Sequence, residues 1–494
     1  MRLLAAIDNI RLELTTNLDA KKRSVLGQFM TPAPVAQFMA SLFPVSDGGI
    51  CHLLDPGAGM GALTAAFLER CEQDDFRFDR ISTVAFEIDE TLRTSLAQNL
   101  PKNAKTRSIS CSINSSDFIE TAVEYLSGDM FGQKLPSFTH AILNPPYKKI
   151  NSNSRHRMLL REAGIETVNL YSAFVALALG LLKPGGHLVA IIPRSFCNGP
   201  YYRPFREYLL GRSAIRRIHL FGARDKAFKD DGVLQENVII HLERGAKQGE
   251  VTISTSTDER FHDCVLHAHP FGQIVFPDDP AHFIHIPTTL ENNAVELPAA
   301  FRHSLAELDI QVSTGPVVDF RAREHLRQMP MKATVPLLYP CHFGSGLMEW
   351  PKPTGKKPNA ILRNEETERL LYPSGSYAVV RRFSAKEERR RIVAGVVNPS
   401  AFDAKAIGFE NHLNVFHHNR HGLPEPLAWG LSAFLNSTAV DNAFRRFNGH
   451  TQVNATDLRS MKYPDRETLI RLGRWAMAQG RLTQDAIDKK LGTF

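Results

Sequence analysis

Through the first half of the chain, short apolar runs alternate with longer stretches whose apolar positions recur every three or four residues. Residues 50–54 form one such run, closed by Asp55 and a glycine-rich turn, and residues 63–71 then carry helical spacing. A second run, 83–86, is closed by Glu87, and a third, 140–143, by Asn144. Residues 171–182 read as an apolar helix that stops at Lys183-Pro184-Gly185-Gly186. Two more buried runs, 187–192 and 238–242, complete the series. Runs of this length suit buried strands, and the periodic stretches suit helices between them. The alternation predicts an open, largely parallel α/β sheet, with ligands gathered beyond the carboxyl ends of its strands.

Near Gly245 the pattern changes. Helical periodicity weakens, and His, Pro and aromatic residues become frequent, as in residues 266–272. The chain is therefore divided into residues 1–245 as the α/β unit, 246–300 as a connecting segment, and 301–494 as a second, mixed α+β domain with helices near 427–435 and 466–479. A length of 494 residues exceeds one ordinary hydrophobic core, in keeping with that division. The net charge of +7 suits a polyanionic partner without identifying one. The six cysteines are scattered, with no Cys-x-x-Cys pair, so neither a zinc site nor a disulfide framework is expected, and no metal. Asp8 interrupts the N-terminal apolar residues, and no stretch approaches the roughly 18 apolar residues of a membrane span. A cytoplasmic protein with no membrane partner is expected.

The chemistry gathers at strand ends. Asp55-Pro56-Gly57-Ala58-Gly59-Met60-Gly61 lies between a strand and a helix, where glycines permit a tight turn and close approach of a ligand. It reads G-x-G-x-G, not the G-x-G-x-x-G of dinucleotide sites, and it lacks the Lys-Ser/Thr of a P-loop. Alone it is equally a structural turn. Glu87, ending the next strand, is placed to accept both ribose hydroxyls of a nucleoside, or is a solvated strand-end charge. Asp117 opens the following unit, where a carboxylate can accept from an adenine amino group. Upstream, Thr31-Pro32 reads as N-cap and first residue of an apolar-periodic helix, which can also fold over the ligand.

Asn144-Pro145-Pro146-Tyr147 follows a buried strand. An amine on a heteroaromatic ring has its lone pair delocalised and is a poor nucleophile. Two acceptors, the Asn144 side-chain oxygen and the Pro145 carbonyl, can bind both amine hydrogens and favour a pyramidal nitrogen aimed at an electrophile. Positioning and electrostatics carry such a transfer. The prolines stiffen the loop, and the Tyr147 ring offers a stacking face. Phe228, flanked by lysines, is a candidate second wall for a flipped base, or else a core aromatic. Lys148, Lys149, Arg155, Arg157 and Arg161 follow in a polar stretch, either a phosphate-contacting loop or a solvated surface.

These residues, in this order, resemble the gamma-class DNA adenine-N6 methyltransferases of bacterial type II restriction-modification systems, the Taq-type and PstI/BsuBI-type modification enzymes. The match starts at Gly27-Gln28-Phe29-Met30-Thr31-Pro32 and runs through Asp55–Gly61, Glu87-Ile88-Asp89, Asp117-Phe118 and the tetrapeptide to Asn169-Leu170-Tyr171-Ser172-Ala173-Phe174 and, loosely, the Phe228 segment. The resemblance implies a Rossmann-like S-adenosyl-L-methionine-dependent domain with Thr31, Asp55, Gly57, Gly59, Glu87, Asp117, Asn144 and Phe174 at the cofactor. It implies that Asn144, Pro145, Pro146, Tyr147 and Phe228 hold the target adenine, and that the C-terminal half reads DNA. There Gly449 to Leu458 is similar to a stretch near the end of PstI/BsuBI-type enzymes. Arg445 and Arg446 beside it are expected DNA contacts with Lys148, Lys149 and Arg155. Arg381-Arg382-Phe383 and Arg389-Arg390-Arg391 are basic clusters that read equally as a solvated face. Double-stranded DNA and a separate cognate restriction endonuclease are the implied partners, and the enzyme protects its site against the latter. A protein-glutamine methyltransferase shares the tetrapeptide but lacks the Thr31-Pro32 element and a large C-terminal domain. A non-enzymatic DNA-binding specificity subunit sits poorly with intact Asp55, Glu87, Asn144 and Tyr147, and no length is spare for a fused nuclease.

Overall fold

The computed structural model describes residues 3–17, 30–73, 75–100, 108–128, 135–222, 236–277, 279–287, 301–344, 347–384, 388–447, 452–479 and 482–493. They fall into two compact units, Met1–Leu290 and Glu291–Phe494.

The first unit is built on a nine-stranded sheet of β1 (Ile50–Pro56), β2 (Arg80–Phe86), β3 (Ser108–Asn114), β4 (Phe138–Leu143), β5 (Leu182–Pro193), β6 (Ser213–Phe221), β7 (Asn237–Arg244), β8 (Glu250–Ser256) and β9 (Val265–Pro270). Side by side they run β9-β8-β6-β7-β5-β4-β1-β2-β3. β7 lies antiparallel between β5 and β6, and β9 antiparallel on β8; the other neighbours are parallel. The strand order reverses between β1 and β4, and that switch point opens the crevice a doubly wound sheet offers to ligands.

Strand alternation feeds two cores. Ile142, Val189, Ile191 and Ile239 pack with helices α1 (Leu3–Asn17), α2 (Ala33–Ser41) and α3 (Ala62–Arg70) on one face. Leu143, Ala190, Ile192 and Val238 pack on the other face, with two of the helices that follow α4 (Glu90–Asn99): α5 (Phe118–Leu126) and α7 (Leu170–Leu181), which flank α6 (Arg155–Glu162) in sequence. Each leucine, isoleucine or valine side chain among these, removed from water, contributes about 1.5–3 kcal/mol.

The expectation of a connecting segment over 246–300 gives way in part. β8 and β9 extend the sheet, and the first unit runs to Leu290. Locally, Glu250–Ser256 carries four β-branched residues with Val251 and Ile253 alternating with polar ones, a strand pattern too short to fix its place in the sheet. Its burial comes from pairing with β6, where Ser254 and Ser256 approach the two ring nitrogens of His219 at 3.0 and 3.1 Å.

Buried histidines make this unit acid-sensitive. His140 on β4, His219 on β6 and His241 on β7 are each pushed by burial from 6.5 down to about 3. The unfolded chain takes up these protons near pH 6.5 while the folded one refuses them until about pH 3. Stability present above pH 6.5 is therefore lost progressively as pH falls between those values. Urea midpoints are expected to drop by well over 1 M from pH 8 to pH 5, a loss of several kcal/mol; a flat profile would contradict neutral buried imidazoles.

The second unit holds a four-stranded sheet in the order Gln311–Thr314, Leu413–His417, Tyr377–Arg381, Ala394–Val397, and a five-stranded one of shorter strands. Helices Glu425–Leu435 and Arg466–Met477 cross tightly in its core, through Gly430 and Gly473. The basic run 389–391 passes from an exposed Arg389 through a half-buried Arg390 to a buried Arg391. Arg391 is 1% exposed with its Nε on Ser384 Oγ, and Arg390 reaches the carbonyls of Asn436 and Ser437. All six cysteines are free, and no helix among the described residues is long and apolar enough to cross a membrane.

Candidate active site

The turn after β1 is glycine-built because its backbone demands it: Gly57 and Gly61 have φ of +80° and +91°, a region where side chains are strained. At Gly61 a Cβ would also lie 2.8 Å from Leu96 Cδ1. The amides of Gly57 and Ala58 both donate to the Phe86 carbonyl at 2.9 Å, tying the turn to the end of β2. Glu87 completes the tie, its Oε2 accepting from Gly59 N–H at 2.9 Å and its Oε1 from Asp89 N–H at 2.8 Å. Burial raises the Glu87 pKa, with the amides of Asp89, Gly59 and Ile88 working against it.

Asp117 caps α5, its Oδ1 accepting from the amides of Ile119 and Glu120 at 2.8 and 3.1 Å. Its Oδ2 faces His156 Nε2 at 3.0 Å. Burial alone would raise this carboxyl, but the bond to His156, the imidazole's charge and the two amides outweigh it and hold it below the usual range. His156 is raised in turn, chiefly by that bond. Arg155 joins Glu120 at 3.1 Å, so two ion pairs fasten the start of α6 to the first turn of α5.

A cavity of about 240 Å³ joins these groups to the tetrapeptide, with Gly57, Gly59, Glu87, Asp117, Asn144 and Phe174 in its wall. Thr31, Pro146 and Lys148 also line it. Asp55 does not: it is fully buried beneath the turn, accepts from Thr64 Oγ1 at 2.6 Å, and is pushed by burial up to about 7.

Asn144 leaves β4 at the crevice. Its Nδ2 donates to Thr31 Oγ1 at 3.1 Å, and its Oδ1 accepts from the Tyr147 hydroxyl at 3.1 Å, which also lies 3.2 Å from the Ile191 carbonyl. Both ends of the amide are thereby oriented, and Oδ1 is an acceptor with two lone pairs. Thr31 is consequently not the helix cap expected from sequence. Pro32 occupies that position without a side-chain bond, and the cap is supplied from α1, where Asp8 Oδ1 accepts from Ala33 N–H at 3.1 Å. The Tyr147 ring packs edge-on to Tyr171, with centroids 6.2 Å apart, and its hydroxyl makes it an anchor for Asn144 as much as a stacking surface.

The remaining expected residues divide. Pro145 is buried behind the loop, and Lys148 and Lys149 are exposed at its rim. The basic stretch after them is a helix whose cations are paired: Arg155 with Glu120, and Arg157 and Arg161 with Glu166. Arg445 in the second unit is likewise engaged within that unit, with Asp441 at 2.7 Å and the Glu388 carbonyl at 2.8 Å. Phe228, the segment 27–29 and the Arg446 side chain lie outside the described residues. The sequence reading missed α1, which adds Ile7, Asp8 and Arg11 to the cavity wall, and it missed His156. Neither carries a local motif, and only chain packing reveals them.

The family model for the Eco57I restriction-modification methylase matches residues 18–228. Type II methyltransferase M.BsuBI of Bacillus subtilis is 52% identical over 99% of this chain and 97% of its own length. M.PstI of Providencia stuartii is 46% identical over 94% of this chain and 92% of its own. M.AccI of Acinetobacter calcoaceticus is 25% identical over 47% of this chain and 40% of its own. With the glycine turn, the buried strand-end carboxylate and the oriented Asn-Pro-Pro-Tyr loop in one crevice, likeness of that extent and degree means that this chain belongs to the type II methyltransferases of restriction-modification systems.

Proposed function

We propose that the protein transfers a methyl group from S-adenosyl-L-methionine to N6 of an adenine extruded from double-stranded DNA at a specific site, protecting that site in the bacterial cytoplasm from a separate endonuclease that reads the same sequence. The observation that carries this reading is the single cavity reaching from Glu87 and Asp117 to the oriented amide of Asn144. In this reading Glu87 accepts the ribose hydroxyls, Asp117 the cofactor's adenine amine, Phe174 packs on its ring, and Thr31 and Gly57 face the methionine end. Asp55 supports the turn from beneath through Thr64.

The cofactor supplies an electrophilic methyl group on sulfur. Asn144 Oδ1 and the Pro145 carbonyl accept the two hydrogens of the target amine, drawing its lone pair out of the ring and toward the cavity. Formation of the nitrogen–carbon bond would break the methyl–sulfur bond, whose electron pair stays on sulfur as a neutral thioether, and the nitrogen would give up one proton to water. The Thr31 and Tyr147 hydroxyls keep the amide from rotating away. A base in a duplex cannot reach this depth, so it must be flipped out. Residues 301–494 are assigned the reading of the site, with Lys148 and Lys149 at the phosphates. The relatives lend no support to protein-glutamine methylation or to a non-catalytic specificity subunit.

The test is incubation with labelled cofactor and unmethylated plasmid DNA, followed by mapping of modified bases. N6-methyladenine at one short sequence is the expected product; no label, or label in cytosine, would refute the proposal. Two variants probe the cofactor side by calorimetry with S-adenosylhomocysteine. Glu87→Gln is expected to weaken binding about tenfold or more by removing a charge-assisted acceptor. His156→Ala removes the imidazole's bond and charge and leaves only two amides against burial, so the variant's binding is expected to fall off as pH drops from 8 to 5.5 more steeply than the wild type's. Parallel profiles would show that His156 does not govern Asp117.

A further inference from the structure

We infer that Asn237, held in one frame with Asn198, contacts the ring edge of the extruded base, an assignment that rests on the adenine reading above. The direction in which a base must lie follows from the strand order. The cavity's Gly57, Glu87 and Asp117 follow β1, β2 and β3, all on one side of Asn144. A base whose amine is held at Asn144 and faces that cavity therefore extends the other way, over the ends of β5 and β7.

Asn237 is the first residue of β7 and pairs with Pro193, the last of β5. Because β7 is antiparallel, its start lies at the end of the sheet where β4 delivers Asn144. Alternation puts Asn237 on the face of Ile239 and Ile191, and Asn144 on the same face, two residues beyond Ile142. Two strand spacings separate β4 from β7, about 10 Å, the span of a base hydrogen-bonded at two opposite edges.

Asn237 and Asn198 are 3% and 1% exposed, and neither side chain's nitrogen or oxygen has a hydrogen-bond partner among the described residues. Buried amides almost always pair, so two with all their polar atoms idle, beside a catalytic loop, point to a ligand. Asn198 follows the helical turn Arg194–Cys197 that leads out of β5. Arg194 binds Glu236 through its side chain at 2.6 Å and through its backbone N–H at 2.8 Å, so the same frame fixes both asparagines. With the amine's hydrogens taken by Asn144 and Pro145, the base still offers its N1, N3 and N7, all acceptors. A carboxamide N–H is a neutral donor that matches them.

Once the methylated site is mapped, duplexes carrying adenine, 1-deaza-, 3-deaza- or 7-deazaadenine at the target position are compared in single-turnover transfer. Wild-type protein is expected to lose about tenfold or more on one analogue. Asn237→Ala is expected to lose a similar factor on natural adenine and nothing further on that analogue, with cofactor binding intact. Asn237→Asp, which cannot donate when ionised, serves the same comparison should the alanine variant lack the wild-type melting temperature. Wild-type indifference to all three analogues overturns the assignment, as does an Asn237 variant that discriminates as the wild type does. A wild-type protein that places no methyl on DNA adenine is a separate result, which removes the underlying reading first.

Discussion

Replacing Asn144 by alanine is expected to lower single-turnover methyl transfer by about a thousandfold or more, while the affinity for S-adenosylhomocysteine stays within a few-fold of wild type. Removing one preorganised polar contact to a developing charge typically costs about 10²–10³ in rate. Here the same substitution also strips Thr31 and Tyr147 of their common partner and loosens the loop. The cofactor side keeps Glu87, Asp117 and the glycine turn, none of which hydrogen-bonds to Asn144. Asn144→Asp, whose carboxylate still accepts from the amine and from both hydroxyls, is expected to fall between alanine and wild type. Transfer by Asn144→Ala within tenfold of wild type would remove the amide from the mechanism. Equal loss of cofactor binding would show that Asn144 supports the fold of the crevice instead.

Gly473→Ala is expected to unfold or severely destabilise the second unit. A Cβ at Gly473 would lie 1.6 Å from the Pro426 carbonyl oxygen, and one at Gly430 would lie 1.9 Å from that of Leu469. Both obstacles are backbone, so relief requires the two helices to move apart and to give up the packing of Leu427, Leu431, Leu469 and Leu472, all fully buried. Overpacking ordinarily costs about 1–3 kcal/mol; a whole displaced helix pair places this substitution above that range. Ala433→Gly, in the other helix of the pair, Glu425–Leu435, serves as control, with the usual helix penalty of about 1 kcal/mol plus a lost buried methyl. Thermal melts of the full chain separate the two, and a Gly473→Ala variant with a wild-type melting temperature would contradict the crossing geometry.

These two positions differ in how far the sequence exposes them. Asn144 stands in a contiguous motif behind a buried strand, and its chemistry follows from residue types and spacing. Gly473 sits in an ordinary helical stretch where glycine only weakens the pattern, and nothing local tells that a carbonyl of another helix occupies its missing side chain. Thr31 lies between these cases. Its place before a proline suggests a cap, but Asp8, from a helix some twenty residues upstream, caps instead and leaves the Thr31 hydroxyl for Asn144.

By itself, then, the sequence determined the alternation that builds the sheet, the glycine turn, the strand-end carboxylate and the methyl-transfer loop. Each of these is written in neighbouring residues, because backbone conformation and strand burial leave short-range periodic marks. Tertiary structure alone decided the rest. It joined β8 and β9 to the sheet, brought α1 and His156 to the crevice, sank Asp55 beneath the turn, and gave Arg155, Arg391 and Arg445 partners within their own units. Those outcomes depend on which distant carboxylate, carbonyl or strand edge meets a given side chain, and a charge or a short polar run looks the same in sequence whether its partner is water, the protein or DNA.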